Sequence, residues 1–229
     1  MNVPDPTVTI TPAARALGLS AVVLVGRGLA NGPADAALDA WAADICAQVR
    51  RDCTPGFLAA DPVLAGYRAL HARIGRSNRR FPPSPDKLID AVLRRGRLGS
   101  VNRVVDVYNH VSLATRLSLG AHRLDALHGA VTLGLTRGGE RFLPIGTGTP
   151  LALPAGEYAY LDGRDEAICR MECTQGDASR VDADARDVLF IVQGHAGLAA
   201  EALSAGAREL AARLARYCGG ALVALDVRG

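Results

Sequence analysis

The order of two periodic patterns most constrains this chain. Helical spacing fills its first half, and short strands separated by glycine-rich turns fill most of its second. From Ala34 onward, Leu38, Trp41, Ala42, Ile45 and Val49 recur on one helical face, with Asp35, Asp39 and Asp44 largely off it. The pattern returns over Pro62 to Ile74, where Leu64, Tyr67 and Leu70 or His71 supply the contacts. Ser84-Pro85 reads as a helix start, with serine as N-cap and proline at the first helical position. That helix carries Leu88, Ile89, Val92 and Leu93 and ends among Arg94, Arg95 and Arg97. Residues 103–117 hold enough β-branched side chains to suggest a strand. Val104, Val107 or Tyr108, Val111 and Ala114 nevertheless recur at helical spacing, so a helix is expected.

Beyond residue 130 the runs AVTLGL (130–135), RFLPIG (141–146), EYAYLD (157–162), AICRMEC (167–173) and DVLFIV (187–192) read as strands, arranged as antiparallel hairpins. AVVLV (21–25) is an earlier buried strand. A last helix from about Ala199 sets Leu203, Leu210, Leu214 and Tyr217 on one face and stops at Gly219-Gly220, and ALVALDV (221–227) returns as a strand. Helices first, hairpins next and a closing helix–strand pair make an α+β fold. The length of 229 residues suits a single domain, 1–229, with a well-buried core. No internal repeat or low-complexity linker interrupts it.

One segment carries more polarity than a core element needs. It reads GRSNRRFPPSPDKLIDAVLRRG and then VNRVVDVYNHVSLATRLSLGAHRLD, from Gly75 to Asp125. Asn102, Asp106, Asn109, His110, Ser112, Thr115 and Arg116 fall among valines, and each buried polar group left unsatisfied costs about 1–3 kcal/mol. These residues either form a structural network or line a site, and a site is the expectation. His110 and His122 lie in this segment, and Gly120, near His122, permits close backbone approach to a ligand. His71 and His128 read as helix-surface or turn residues. Arg76, Asn78, Arg79 and Arg80 beside Phe81 form the densest basic patch, either a solvated loop or a grip for phosphate and a stacked base. Pro82-Pro83 would stiffen it.

Several function classes fall away. Among 26 basic residues Lys87 is the single lysine, which a GC-rich coding sequence explains; the net charge of +3 permits a local nucleic-acid contact without requiring one. Five cysteines make an odd set against a secreted disulfide scaffold, and neither the Cys46/Cys53 nor the Cys169/Cys173 spacing comes with histidines suited to zinc. No metal and no cofactor are expected. Residues 1–10 are polar and proline-containing, unlike a signal peptide, and runs such as Ala21 to Val25 are too short to span a bilayer, so a cytoplasmic location away from membranes is expected. Gly26, Gly28 and Gly32 depart from the dinucleotide spacing and read as a turn, as does GTGTP (146–150). No nucleophile-elbow serine is present.

The order GRSNRRFPPSPDKLIDAVLRRG, VVDVYNHVSLATRLSLGAH, GERFLPIG, GEYAYLDG, an Ile-Cys-Arg strand and a Gly-Asp-x-Ser turn resembles the editing domain of the phenylalanyl-tRNA synthetase beta subunit, and free-standing versions of it in particular. The likeness spans roughly residues 7–195, with its core at 66–195. It implies that domain's fold and trans-acting hydrolysis of the ester of a mischarged aminoacyl-tRNA, with tRNA as partner and no charging activity. A non-catalytic tRNA- or RNA-binding module, or an amino-acid-like small-molecule site, is the alternative. By the resemblance Asn109 lines the pocket, His122 and Asp177 act beside it, and Gly120, Ala121, Ser112 and Arg170 contact the substrate. Arg76, Asn78, Arg79 and Arg80 would hold tRNA. The family's pocket histidine falls at Gly120, an aspartate usual in free-standing relatives at Arg123, and their tryptophan-rich stretch at Met171 to Gln175.

Overall fold

The computed structural model describes residues 4–228. Its first half runs β1 (Val8–Ile10), α1 (Pro12–Ala16), β2 (Ser20–Arg27), α2 (Ala36–Asp52), α3 (Pro55–Ala60), α4 (Pro62–Arg73), α5 (Ser84–Arg95) and α6 (Arg103–Thr115). The second half runs β3 (Ser118–Arg123), β4 (Val131–Leu135), β5 (Arg141–Phe142), β6 (Leu151–Ala152), β7 (Tyr158–Leu161), β8 (Ala167–Arg170), β9 (Thr174–Gln175), β10 (Val188–Gly194), α7 (Ala200–Cys218), β11 (Ala221–Leu225) and β12 (Val227–Arg228). This is a single α+β domain.

Capping explains where the helices begin. Asp35 accepts from the Leu38 N–H at 2.9 Å, Asp61 from Leu64 at 3.0 Å and Asn102 from Val105 at 3.0 Å. Asn102 is buried, and its amide also donates to the Val181 carbonyl at 2.9 Å. That double engagement starts α6 as a helix despite its β-branched residues. At α5 the expected serine cap gives way: Pro83 occupies the cap, and the Ser84 hydroxyl instead meets that of Ser118 at 2.9 Å.

One sheet is antiparallel, in the order β11-β2-β10-β3; the other runs β12-β1-β4-β7-β8-β5-β6, with β9 on β8. Hairpins account for only part of the second sheet. β1 lies parallel to both β4 and β12, and β5 lies parallel to β8. RFLPIG contributes just Arg141–Phe142 to β5 before the chain turns away. The period of two along β10 divides the core. Val188, Phe190 and Val192 enter a cluster with α6 and α7, while Leu189 and Ile191 join β1, β4, β7 and β8. A third cluster joins α2, α4, α5 and α6 through Ile45, Leu64, Ile89 and Leu113. The candidate site opens where the two sheets meet the first turns of α5 and the middle of α6.

Candidate active site

Alternation along β3 carries Ser118, Gly120 and His122 to the face that looks into a cavity of about 150 Å³. Ala121 points the other way, fully buried in the α6–α7 cluster. On β10 the register places Ile191 beside Gly120 and Gln193 beside Ser118, so these two side chains extend the same wall. Tyr160 of β7, Cys169 of β8 and the turn from Glu172 to Gln175 form the opposite wall. Lys87 from the first turn of α5 and Asn109 from α6 complete the rim. A Cβ built on Gly120 would meet no atom within 4 Å, so the space a side chain would take there stays open.

The polar groups around this cavity are held in defined states. Nδ1 of His122 meets the Ser179 hydroxyl at 2.8 Å, which leaves Nε2 for the cavity side. Burial lowers the His122 pKa to about 3, so the ring stays neutral at physiological pH. The Tyr160 hydroxyl donates to the Gln193 side-chain oxygen at 2.7 Å, and the Gln193 amide nitrogen, buried, has no partner among the described residues. The side chain of Lys87 donates to the Cys173 carbonyl. Asn109 is half-buried and its amide makes no hydrogen bond to the described protein. An acyl oxygen entering here would find a neutral imidazole and unspent amide donors.

Behind the wall lies a buried His71–Glu172 pair. Glu172 accepts from the Tyr158 hydroxyl, and its other oxygen sits 2.9 Å from His71 Nε2, bent away from ideal hydrogen-bond geometry. His71 Nδ1 donates to the Phe81 carbonyl at 2.8 Å. The histidine expected at a helix surface is thus fully buried, because it continues the buried face of α4 formed by Leu64, Tyr67 and Leu70, beneath the 77–83 loop, while Ala72 and Arg73 stay exposed. Burial pulls the His71 pKa down, but Glu172 and the carbonyl outweigh it and the net shift is upward.

These two histidines predict a stability optimum. His122, with its pKa depressed, contributes stability above about 6.5 that is lost as pH falls toward its folded value, at about 1.4 kcal/mol per pH unit. His71, with its pKa raised, contributes stability below about 6.5 that is lost as pH rises through its folded value. Urea denaturation from pH 4 to 9 should therefore peak near 6.5 for this pair. His122→Gln should flatten the acid limb and His71→Gln the alkaline one; parallel curves for all three proteins would contradict the assignment.

The other expected site residues lie elsewhere. Asp177 lines a separate small cleft with Ser179 and Ala126, and its carboxylate pairs with Arg180 at 2.9 Å. Its backbone N–H bonds the Leu143 carbonyl, which turns the Gly176-Asp177 corner away from the main cavity. Ser112 is buried and donates to the Leu117 carbonyl at 2.6 Å, closing the end of α6. Arg170 forms a bidentate pair with buried Glu157 at 2.6 and 2.7 Å and lies over Phe81. Arg76 pairs with the same carboxylate, and Asn78 donates to the Arg68 carbonyl at 3.1 Å. Only Arg79 and Arg80 of that loop remain exposed with no carboxylate partner among the described residues. Sequence reasoning missed Lys87, Glu172, Gln175 and Gln193. Lys87 had a signal, as the one lysine in an arginine-rich chain; the others sit in ordinary strand and turn contexts.

The sequence profile of the B3/4 domain matches residues 66–219, through the whole of α7. The chain belongs to the B3/4 domain family. It is a homologue of the B3/4 domain found in the phenylalanyl-tRNA synthetase beta subunit. Among solved structures, an N-terminal fragment of the phenylalanyl-tRNA synthetase beta-subunit from Pyrococcus horikoshii superposes with a TM-score of 0.51 at 13% identity. The match covers 94% of this chain and 50% of that one, so this B3/4 chain spans half the length of the fragment it resembles. At that identity the likeness shows the fold. No curated protein matches. Among the described residues no cluster of His, Cys, Asp and Glu could hold a metal ion, and no helix is long and apolar enough to cross a membrane.

Proposed function

We propose that this B3/4 domain hydrolyses the ester bond of a mischarged aminoacyl-tRNA supplied in trans. The reading rests on one observation: the cavity between the sheets gathers a neutral imidazole, the Asn109 amide and the unpaired Gln193 amide. An aminoacyl ester is already labile, so orienting a water and stabilising the oxyanion is sufficient chemistry. Asn109 and His122 Nε2 polarise the carbonyl, the open floor at Gly120 admits the acyl group, and the terminal ribose hydroxyl assists the water.

Burial of His122 changes the expected pH response. A histidine base with an ordinary pKa would give a limb near 6.5. With its pKa lowered to about 3, His122 serves as a neutral donor, and deacylation should show no histidine limb between pH 5 and 8. A limb near 6.5 that disappears in His122→Ala would make it a base instead. The deciding experiment is a deacylation screen over a panel of mischarged tRNAs, with correctly charged phenylalanyl-tRNA as the control expected to survive.

Binding of tRNA falls to Arg79 and Arg80, since Arg76 and Asn78 are tied inward. Arg79→Gln with Arg80→Gln should weaken binding across tRNA sequences and reduce the log–log salt slope by about one per lost phosphate contact. An unchanged slope would make the loop a connector. The inward ties of Arg76 and Asn78 also favour a second reading, a site for a small amino-acid-like molecule without tRNA. Ester turnover without salt-sensitive tRNA binding would select it, and tRNA binding without turnover would select a non-catalytic module.

A further inference from the structure

A second cavity, of about 410 Å³, opens between α2, α6 and the turn at 96–100, and the proposed editing reaction does not use it. α6 serves both: Tyr108 and Asn109 face the first cavity, while Asp106 and His110, one turn apart, line the second. Cys46 of α2 also lines it, with its sulfur 3.7 Å from His110 Nε2. On the other side of the ring, His110 Nδ1 stands 2.7 Å from the Asp106 carbonyl oxygen. A carbonyl only accepts, so Nδ1 carries the ring proton and Nε2 presents a lone pair to the thiol. Burial lowers the His110 pKa, which keeps that lone pair free at neutral pH.

The pair is supported on all sides. The Asp106 carboxylate is fixed by the Ser100 hydroxyl at 2.5 Å and the Val101 N–H at 2.9 Å, and its charge favours an imidazolium once one forms. Burial raises the Cys46 pKa, and the nearby Leu98 backbone works in the opposite direction, toward thiolate. Trp41 packs with its ring centroid 5.9 Å from that of His110. Nucleophile, base and orienting group thus stand in the order that thiol catalysis requires. Among the described cysteines only Cys46 contacts an imidazole; Cys169, for comparison, donates to the Met171 carbonyl at 3.0 Å. Arg50 and Arg97 line the same cavity, exposed and without a carboxylate partner among the described residues.

We propose that Cys46 and His110 form a second, thiol-based nucleophilic site for small activated acyl compounds that carry an anionic group. The Cys46 sulfur attacks the acyl carbon, forming an S–C bond while its proton passes to His110 Nε2. The bond from the acyl carbon to the leaving oxygen or sulfur then breaks, and the leaving group departs with that proton. The product is acyl-Cys46, with no oxidant or reductant involved. The guanidinium groups of Arg50 and Arg97 hold the anionic end.

The test uses the whole chain with 4-nitrophenyl hydrogen succinate as the anionic probe and 4-nitrophenyl acetate as the neutral one. One equivalent of nitrophenolate per chain should be released in a burst, with the acyl group mapped by mass spectrometry to Cys46. His110→Gln should slow the burst by about 10²-fold, the lower end for losing a general base. Arg50→Gln with Arg97→Gln should lower the rate with the anionic ester toward that with the neutral one and so remove the preference. Acylation spread over several cysteines, or a rate unchanged by His110→Gln, overturns the proposal; an unchanged ester preference in the arginine variant overturns its anionic part. Should His110→Gln fail to fold, the pH dependence of the unmodified protein decides. A base-assisted thiol gives a level rate from pH 7 to 8.5, whereas a lone thiol rises about tenfold per pH unit below its pKa and would refute the pair.

Discussion

Arg170→Ala is expected to lower folding stability by about 3–5 kcal/mol, the usual loss when one partner of a buried ion pair is removed. Glu157 is fully buried, and its carboxylate is gripped by Arg170 through two hydrogen bonds and by Arg76 through a further contact. Without Arg170 the carboxylate keeps only the more exposed Arg76. Phe81 loses the guanidinium stacked 4.7 Å from its ring centre, which loosens the 77–83 loop over His71. Urea denaturation should show the midpoint fall with little change in slope. Arg76→Ala should cost less, because the bidentate pair survives, and Arg170→Leu combined with Glu157→Leu should recover part of the loss. If Arg170→Ala leaves the midpoint in place and raises only the KM of an ester substrate, Arg170 belongs to the substrate rather than to the fold.

Asn109→Ala is expected to lower the deacylation kcat by about 10²-fold, the scale for losing one preorganised oxyanion donor. The side chain sits at the rim of the first cavity on a helix whose start is locked by Asn102, so its position is set before substrate arrives. Truncation removes the donor and buries no new charge, so the melting temperature should change little. His122→Ala should reduce kcat as well, and its effect should be independent of pH between 5 and 8 because the ring is already neutral there. A fall in kcat shared equally by both variants and their combination would mark the two groups as acting on one oxygen. Variants that retain full turnover would move the chemistry away from this cavity, and turnover absent from the unmodified protein would leave the non-catalytic readings.

Local signals in the chain located most of its elements. The runs at 21–25, 130–135, 157–162 and 187–192 became β2, β4, β7 and β10, and the helical spacing at 34–49, 62–74, 84–95, 103–117 and 199–217 became α2, α4, α5, α6 and α7. Helical period won over β-propensity in α6 because Asn102 caps it and its apolar face packs on α7. Short elements such as β1, α1 and α3 were not legible, since three to six residues carry too little periodicity to register. Parallel pairing of β1 with β4 was equally hidden, because a strand's sequence does not encode the direction of its neighbour.

For the site, the sequence by itself determined a polar segment running from Asn102 past the end of α6; only the pairing with β10 made Ser118–Arg123 a strand, whose period-two alternation sets Gly120 and His122 on one face. Tertiary structure alone decided which polar residues meet. Glu172, Gln175 and Gln193 enter the cavity because β10 pairs with β3 and the turn after β8 folds across it, contacts between residues more than 50 positions apart in the chain. It also decided that Asp177 turns away, that Arg76 and Arg170 are spent on Glu157, and that His71 is buried. Protonation follows the same division. An imidazole's titration depends on the dielectric around it and the charges beside it, so identical histidines become a neutral donor at His122 and a partner to a carboxylate at His71.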